Sequence, residues 1–306
     1  MKILRKIKSA ATILKTTTVK WLERDPFRNS TVIAYYTIFS MPGLLVIIIN
    51  VAGYFFGDEA VMQKISTQVG GLIGSDTAKD VEAIVAKASA HKDFTISSAI
   101  GIATLLFGAT GVFYQLQQTL NLVWDVKPQP QRMLIKFALD RIFSFGLILA
   151  VGFLLLVSLV LSTMLTVVSD WVATYISDYL NIFFRFLDFA LSMSVITLLF
   201  ASIFKFLPDA EIEWKDVWIG ALVTAFLFVL AKFALSLYFA NADPASTYGA
   251  AGSVILIMLW VTYAGMILLF GAEFTRVYAS HCGTRINPSE FAVATHHNDN
   301  KDDSAQ

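Results

Sequence analysis

The charges standing inside otherwise apolar stretches of this chain are Lys232 and the pair Arg185 and Asp188, while Glu273 closes another such stretch. A cation at the centre of a membrane helix costs on the order of 3 kcal/mol on insertion scales, and such residues usually face a cavity or a partner. Arg185 and Asp188 are one turn apart, the spacing at which opposite charges meet on a helix. Lys232 lies about eight residues from the end of its run, roughly 12 Å at 1.5 Å per residue. Its stem can snorkel part of that distance. Set beside Asp188 and Arg185, it makes a receptor for an anionic headgroup. Asn121 ends another apolar run, together with Gln115, Gln117 and Gln118. Pro42, within Phe39–Gly43, removes a helical hydrogen bond and predicts a kink. Lys232, Asp188, Arg185, Asn121, Glu273 and Pro42 are therefore the candidate substrate path. The chemistry they suit is recognition and passage of a polar lipid or small anion.

Bond-breaking chemistry finds little to work with. Hydrolysing RNA with metal ions needs clustered carboxylates and histidines around one or two metals. Of the four histidines, His91, His281, His296 and His297, only the last two adjoin, beside Asp299 in a stretch that reads as a hydrophilic tail, and no metal site is expected. Cys282 is the only cysteine, so an intramolecular disulfide cannot form. His281 beside it does not face it on a helix end, and a free thiol is expected. No P-loop is present, and no cofactor is expected.

The elements that must position these residues are membrane helices. Hydrophobic residues make up 56% of the 306, and the mean hydropathy is +0.65, outside the soluble globular range. A formal net charge of zero speaks against nucleic acid as a partner. Apolar runs long enough to cross a bilayer, about 20 residues, predict an all-α polytopic fold with six crossings. They fall at about 31–56, 96–123, 141–168, 184–206, 217–240 and 249–276. Gly101, Gly108 and Gly111 give the second crossing a smooth face for close helix contact. Residues 1–28 read as a basic amphipathic helix that Pro26 ends, suited to an anionic membrane surface. Residues 57–95 read as one or two surface helices, and 277–306 as a polar tail, disordered from Asn287 onward. Of the 23 Lys and Arg, 17 fall on the side bearing the termini and 5 on the other, with Lys232 between them. Positively charged loops stay cytoplasmic, so both termini are expected there and 57–95 in the periplasm.

A set of short motifs recurs in order. Ala34-Tyr35-Tyr36 leads to Phe39-Ser40-Met41-Pro42, and Asn121 precedes Trp124. Phe206-Leu207-Pro208-Asp209 is followed by Trp214, then by Gly220-Ala221, Lys232 and Tyr238. Tyr248-Gly249-Ala250, Trp260 and Gly271-Ala272-Glu273 complete it. Over roughly residues 20–280 the chain resembles the YihY/virulence factor BrkB family, whose members once carried a ribonuclease label. The resemblance implies a six-helix protein of the bacterial inner membrane, with Pro42, Asn121, Asp209, Lys232, Tyr248 and Glu273 as shared positions. It implies little about activity, and the residues present argue against the ribonuclease label. Two readings remain: a carrier of a polar lipid or small anion, and a non-transporting envelope scaffold. Membrane lipids, a second copy of the chain or another envelope protein are the expected partners.

The orientation is testable with cysteines at Ser75 and Thr295 in a Cys282→Ser background. A membrane-impermeant thiol reagent applied to intact cells should label Ser75→Cys alone. Labelling of Thr295→Cys from outside would overturn the orientation.

Overall fold

The computed structural model describes residues 2–73, 78–83, 111–129, 154, 161, 178–242, 252–282, 286–289 and 292–295. Its main elements are α1 (Lys2–Glu23), α2 (Pro26–Phe56), α3 (Asp58–Ile73) and α4 (111–123), then β1 (Val126–Pro128) and α5 (Asp178–Phe206). β2 (Ala210–Glu211), α6 (Trp214–Ala242), α7 (Gly252–His281), β3 (Asn287–Pro288) and β4 (Ala292–Ala294) complete the order. Among the described residues three stretches are long and apolar enough to cross a membrane: Phe186–Phe206, Trp214–Phe239 and Gly252–His281. The crossing expected at 141–168 lies almost wholly outside the described residues. So do the first part of 96–123, with Gly101 and Gly108, and residues 84–95.

α1, α2 and α6 pack on α7. α1 and α2 run in the same direction along it, one after the other. Ser9 Oγ meets His281 Nε2 at 2.9 Å, and Trp21 Nε1 donates to the Met266 carbonyl at 3.2 Å. The Trp21 ring meets Phe270 edge-on, and Gly265 lies against Ser30. Farther along, Ile38, Met41 and Leu45 surround Ile257. The break between the two helices is at Arg24 and Asp25, where Asp25 takes a left-handed φ of 49°.

Two expectations change here. Pro26 does not end the basic helix but opens α2 as its first residue, where its missing N–H costs nothing and its fixed φ suits the helix. The first long helix therefore starts at Pro26 rather than near Thr31. α1 is amphipathic as expected, but part of its buried face, with Ile13 and Thr17, is turned to protein. It covers the charged end of α7 rather than lying only on lipid.

α6 and α7 cross in antiparallel fashion through a matched pair of segments, Gly220-Ala-Leu-Val-Thr224 and Gly271-Ala-Glu-Phe-Thr275. A Cβ on Gly220 would fall 1.7 Å from Thr275 Oγ1, and one on Gly271 would fall 1.8 Å from Thr224 Oγ1. Each threonine hydroxyl donates to the glycine carbonyl four residues earlier on its own helix, at 2.7 Å. The hydroxyls are thereby satisfied within each helix, and the two backbones approach over glycine and alanine. α5 packs on α6 through Phe200, Phe204 and Phe228 and shares one core with α4, centred on Leu120 and Trp124. Away from this core, Val81 on the helical stretch 78–83 is buried with Ile257, so this stretch between the first two runs is docked on protein.

The tail from Asn287 is not disordered over its described part. β3 pairs with β2, Ala210 opposite Pro288, and β4 pairs with β1, Val126 opposite Ala294. The Ser289 N–H donates to the Asp209 carbonyl at 2.9 Å, and the Thr295 N–H to the Asp125 carbonyl at 2.8 Å. Composition signalled a solvated tail; the two turns offer unpaired backbone edges that it satisfies. Residues 296–306 lie outside the described residues.

The crossing makes a sharp prediction. Gly271→Ala should lower the thermal midpoint by an amount equivalent to about 1–3 kcal/mol, the usual penalty of overpacking. Adding Thr224→Gly should recover part of it. A Gly271→Ala midpoint equal to wild type would contradict the close approach.

Candidate functional site

Glu273 carries the only carboxylate on α7, and its side chain is fully buried. A buried charge is tolerable only when paired and hydrogen-bonded. Arg276, one turn on, supplies Nε at 3.0 Å and Nη2 at 2.7 Å to Glu273 Oε1. Arg24, at the break between α1 and α2, brings Nε to 3.1 Å from Oε2. That approach lies off the line of a hydrogen bond, so Oε2 has electrostatic attraction but no donor aimed at it.

The two guanidiniums share a second carboxylate. Asp125 receives Arg24 Nη2 on Oδ1 at 2.9 Å and Arg276 Nη1 on Oδ2. Arg24 Nη1 also donates to the Leu122 carbonyl. Two cations and two anions thus balance where α1, α2, α4 and α7 meet. Asp125 follows α4 with φ 54°, a left-handed conformation costing a residue with a Cβ roughly 1–2 kcal/mol. Its side chain is 39% exposed, against 18% for Arg24, 13% for Arg276 and none for Glu273, so Asp125 is the solvent side of the cluster. A narrow cleft beside it is lined by Trp21, Arg24, Asn29, Thr119 and Glu273 among others.

A neighbouring node hangs from the same end of α4. Asn121 Nδ2 donates to Asp209 Oδ2 at 2.9 Å, and the Asp209 N–H donates back to Asn121 Oδ1 at 2.8 Å. Gln117 Nε2 approaches Asp209 Oδ1 at 3.4 Å. This fixes the Phe206-Leu207-Pro208-Asp209 turn between α5 and α6, where Lys205 Nζ donates to the Ile212 carbonyl at 2.6 Å and lies over Trp214. Asn121 is 2% exposed, so it latches a turn instead of lining an open mouth.

Of the six sequence-derived residues, the four whose side chains are described do not gather at one place. Glu273 is in the charge cluster, and Asn121 is beside it. Lys232 is exposed on α6, ten residues before Ala242, and Asp188, half-buried, lies ten residues into the antiparallel α5, so the two share a level toward the other end. Arg185 and Pro42 are helical, and their side chains lie outside the described residues. Arg24, Asp125 and Arg276 were not among the candidates. The spacing of Glu273 and Arg276 is a readable signal on one helix; Arg24 and Asp125 arrive from far along the chain and leave none. Among the described residues no three of His, Cys, Asp and Glu gather as a metal site.

Long apolar helices closed at one end by a buried charge cluster define a helical membrane protein. The family model for virulence factor BrkB matches residues 17–292, and the chain belongs to that family. It is 27% identical over 265 residues to a UPF0761 membrane protein of Saccharophagus degradans and 27% over 263 residues to one of Teredinibacter turnerae. Both alignments cover 85% of this chain, which spans 58% of the length of those relatives. A UPF0761 membrane protein of Verminephrobacter eiseniae is 30% identical over 179 residues, 57% of this chain and 40% of its own. No solved structure matches.

Proposed function

We propose that this is a non-enzymatic, six-crossing protein of the bacterial inner membrane, with both termini cytoplasmic, that moves a polar lipid or small anion across or along the bilayer. The orientation is supported by where the charged segments meet. The end of α1, the residues after α4, the turn between α5 and α6 and the tail after α7 all gather at the Glu273 end. These are the segments carrying the excess of Lys and Arg.

The single observation carrying the transport reading is Lys232. It is exposed beside Leu230, Phe233 and Leu237, themselves 52%, 70% and 55% exposed, on a helix apolar enough to cross the membrane. Ten residues from the helix end is roughly 15 Å, at the limit of what a lysine stem snorkels. An ammonium there is best compensated by an anionic headgroup drawn to the level of Asp188. The cluster around Glu273 would then close the cytoplasmic end. The scaffold reading is favoured by the outward row Trp218, Leu222 and Phe226 lower on α6, which a sister copy or another envelope protein would cover as well as lipid.

Reconstituted vesicles separate the two. Wild type should redistribute a fluorescent anionic phospholipid faster than empty vesicles, and Lys232→Met should slow it about tenfold, the factor for roughly 1.4 kcal/mol of lost attraction. Wild type indistinguishable from empty vesicles would favour the scaffold. Wild-type movement unchanged by Lys232→Met would remove Lys232 from the path.

A further inference from the structure

Asp125 stands in the cluster in an unusual way. Glu273 already neutralises one of the two guanidiniums, and it is held from both sides without contact with solvent. Among the described residues the second positive charge is met by Asp125, which offers a separate oxygen to each arginine and is the most exposed member. Asp125 sits in a two-residue turn between α4 and β1, in the left-handed region that helix ends normally give to glycine or asparagine. Its backbone is tied from outside by the Thr295 N–H, which extends the β1–β4 pairing.

We propose that Arg24 and Arg276 form a binding site for a phosphate-bearing anion, that Asp125 fills this site as a tethered substitute, and that the C-terminal strand β4 holds it there. Two guanidinium N–H groups aimed at two oxygens of one carboxylate are a geometry that two oxygens of a phosphate reproduce. Withdrawing Asp125 leaves the cluster one positive charge in excess, buried beside an apolar core. One anionic oxygen pair from solution or from a headgroup restores the balance. The strand makes the exchange conditional, because the Thr295 hydrogen bond fixes the backbone from which the Asp125 carboxylate reaches the arginines. The site is distinct from Lys232 and does not depend on what α6 carries.

A bound substitute competes as an intramolecular ligand, at an effective concentration in the millimolar range or above. Full-length protein in non-ionic detergent, titrated with inorganic phosphate at constant ionic strength, should therefore show the competition as a shift in thermal midpoint. Asp125→Asn should reach half-maximal stabilisation at about tenfold lower phosphate than wild type. Thr295→Pro, which removes the N–H donor to Asp125, should move the curve in the same direction by less. Arg276→Lys added to Asp125→Asn keeps the charge beside Glu273 but loses the planar fork, and should abolish the gain. The shift between Asp125→Asn and its parent should persist in a Lys232→Met background, which separates this site from the transport reading. A response to inorganic phosphate would mean that a free anion suffices. A response only to micelles containing a short-chain phosphatidate, and not to phosphatidylcholine, would assign the site to a lipid headgroup. Curves for Asp125→Asn and Thr295→Pro that coincide with wild type in both arms would overturn the proposal, as would a gain that survives Arg276→Lys. If Asp125→Asn fails to fold even in phosphate, the Thr295→Pro curve alone decides.

Discussion

A carboxylate withdrawn completely from water at the end of an apolar helix has to be met by cations, or it protonates or unfolds its surroundings. Glu273 imposes that condition on this protein. Arg276 meets it from the same helix, which any helix can arrange. Arg24 meets it from the break between α1 and α2, and so α1 must lie along the last turns of α7 while α2 covers the rest. The second guanidinium face then requires Asp125, which pins the end of α4 and with it β1 and the tail strand. Removing one partner of such a buried set costs about 3–5 kcal/mol, because the remaining charges are left uncompensated.

The remaining helices are held by shape. The matched glycine–threonine contacts bring α6 and α7 to close approach near the same end, at the segment that contains Glu273. The Asn121–Asp209 pair ties the turn between α5 and α6 to α4. The charged end is thereby cross-linked by ion pairs, amide–carboxylate bonds and two short strand pairings. Toward the other end, Lys232 and Asp188 share a level on helices that expose much apolar surface. A tightly knit charged end and a cation far along an apolar helix are what a protein admitting a headgroup from the membrane would need. The same knitting would also serve a rigid scaffold, so the distinction rests on Lys232.

The helices were legible because their signal is local. Apolar runs over 184–206, 217–240 and 249–276 correspond to α5, α6 and α7, each slightly longer in the structure because polar ends continue the backbone ladder beyond the apolar run. Glu273 stood out as a charge ending an uncharged run. What escaped was whatever depends on distant chain. A proline after a basic helix reads equally as a stop or as the first residue of the next helix, and only the packing of α2 on α7 decides. The strands of the tail are two or three residues long, too short for periodicity, and exist because two turns present backbone edges to them. Asn121 was recognised as polar at the end of an apolar run, but its partner Asp209 lies 88 residues away, so its role as a latch was invisible.

Amide hydrogen exchange on Glu273→Gln, compared with wild type in the same detergent, tests most directly whether the Glu273 cluster holds the amino-terminal helix and the end of α4 on α7. Neutralising that one carboxylate should remove protection from residues 9–24 and 121–128 together. The amides around Gly220–Thr224, held by helix packing alone, should keep theirs. Unchanged protection of residues 9–24 in the variant would contradict the account, since α1 would then be held by its apolar face without the charges.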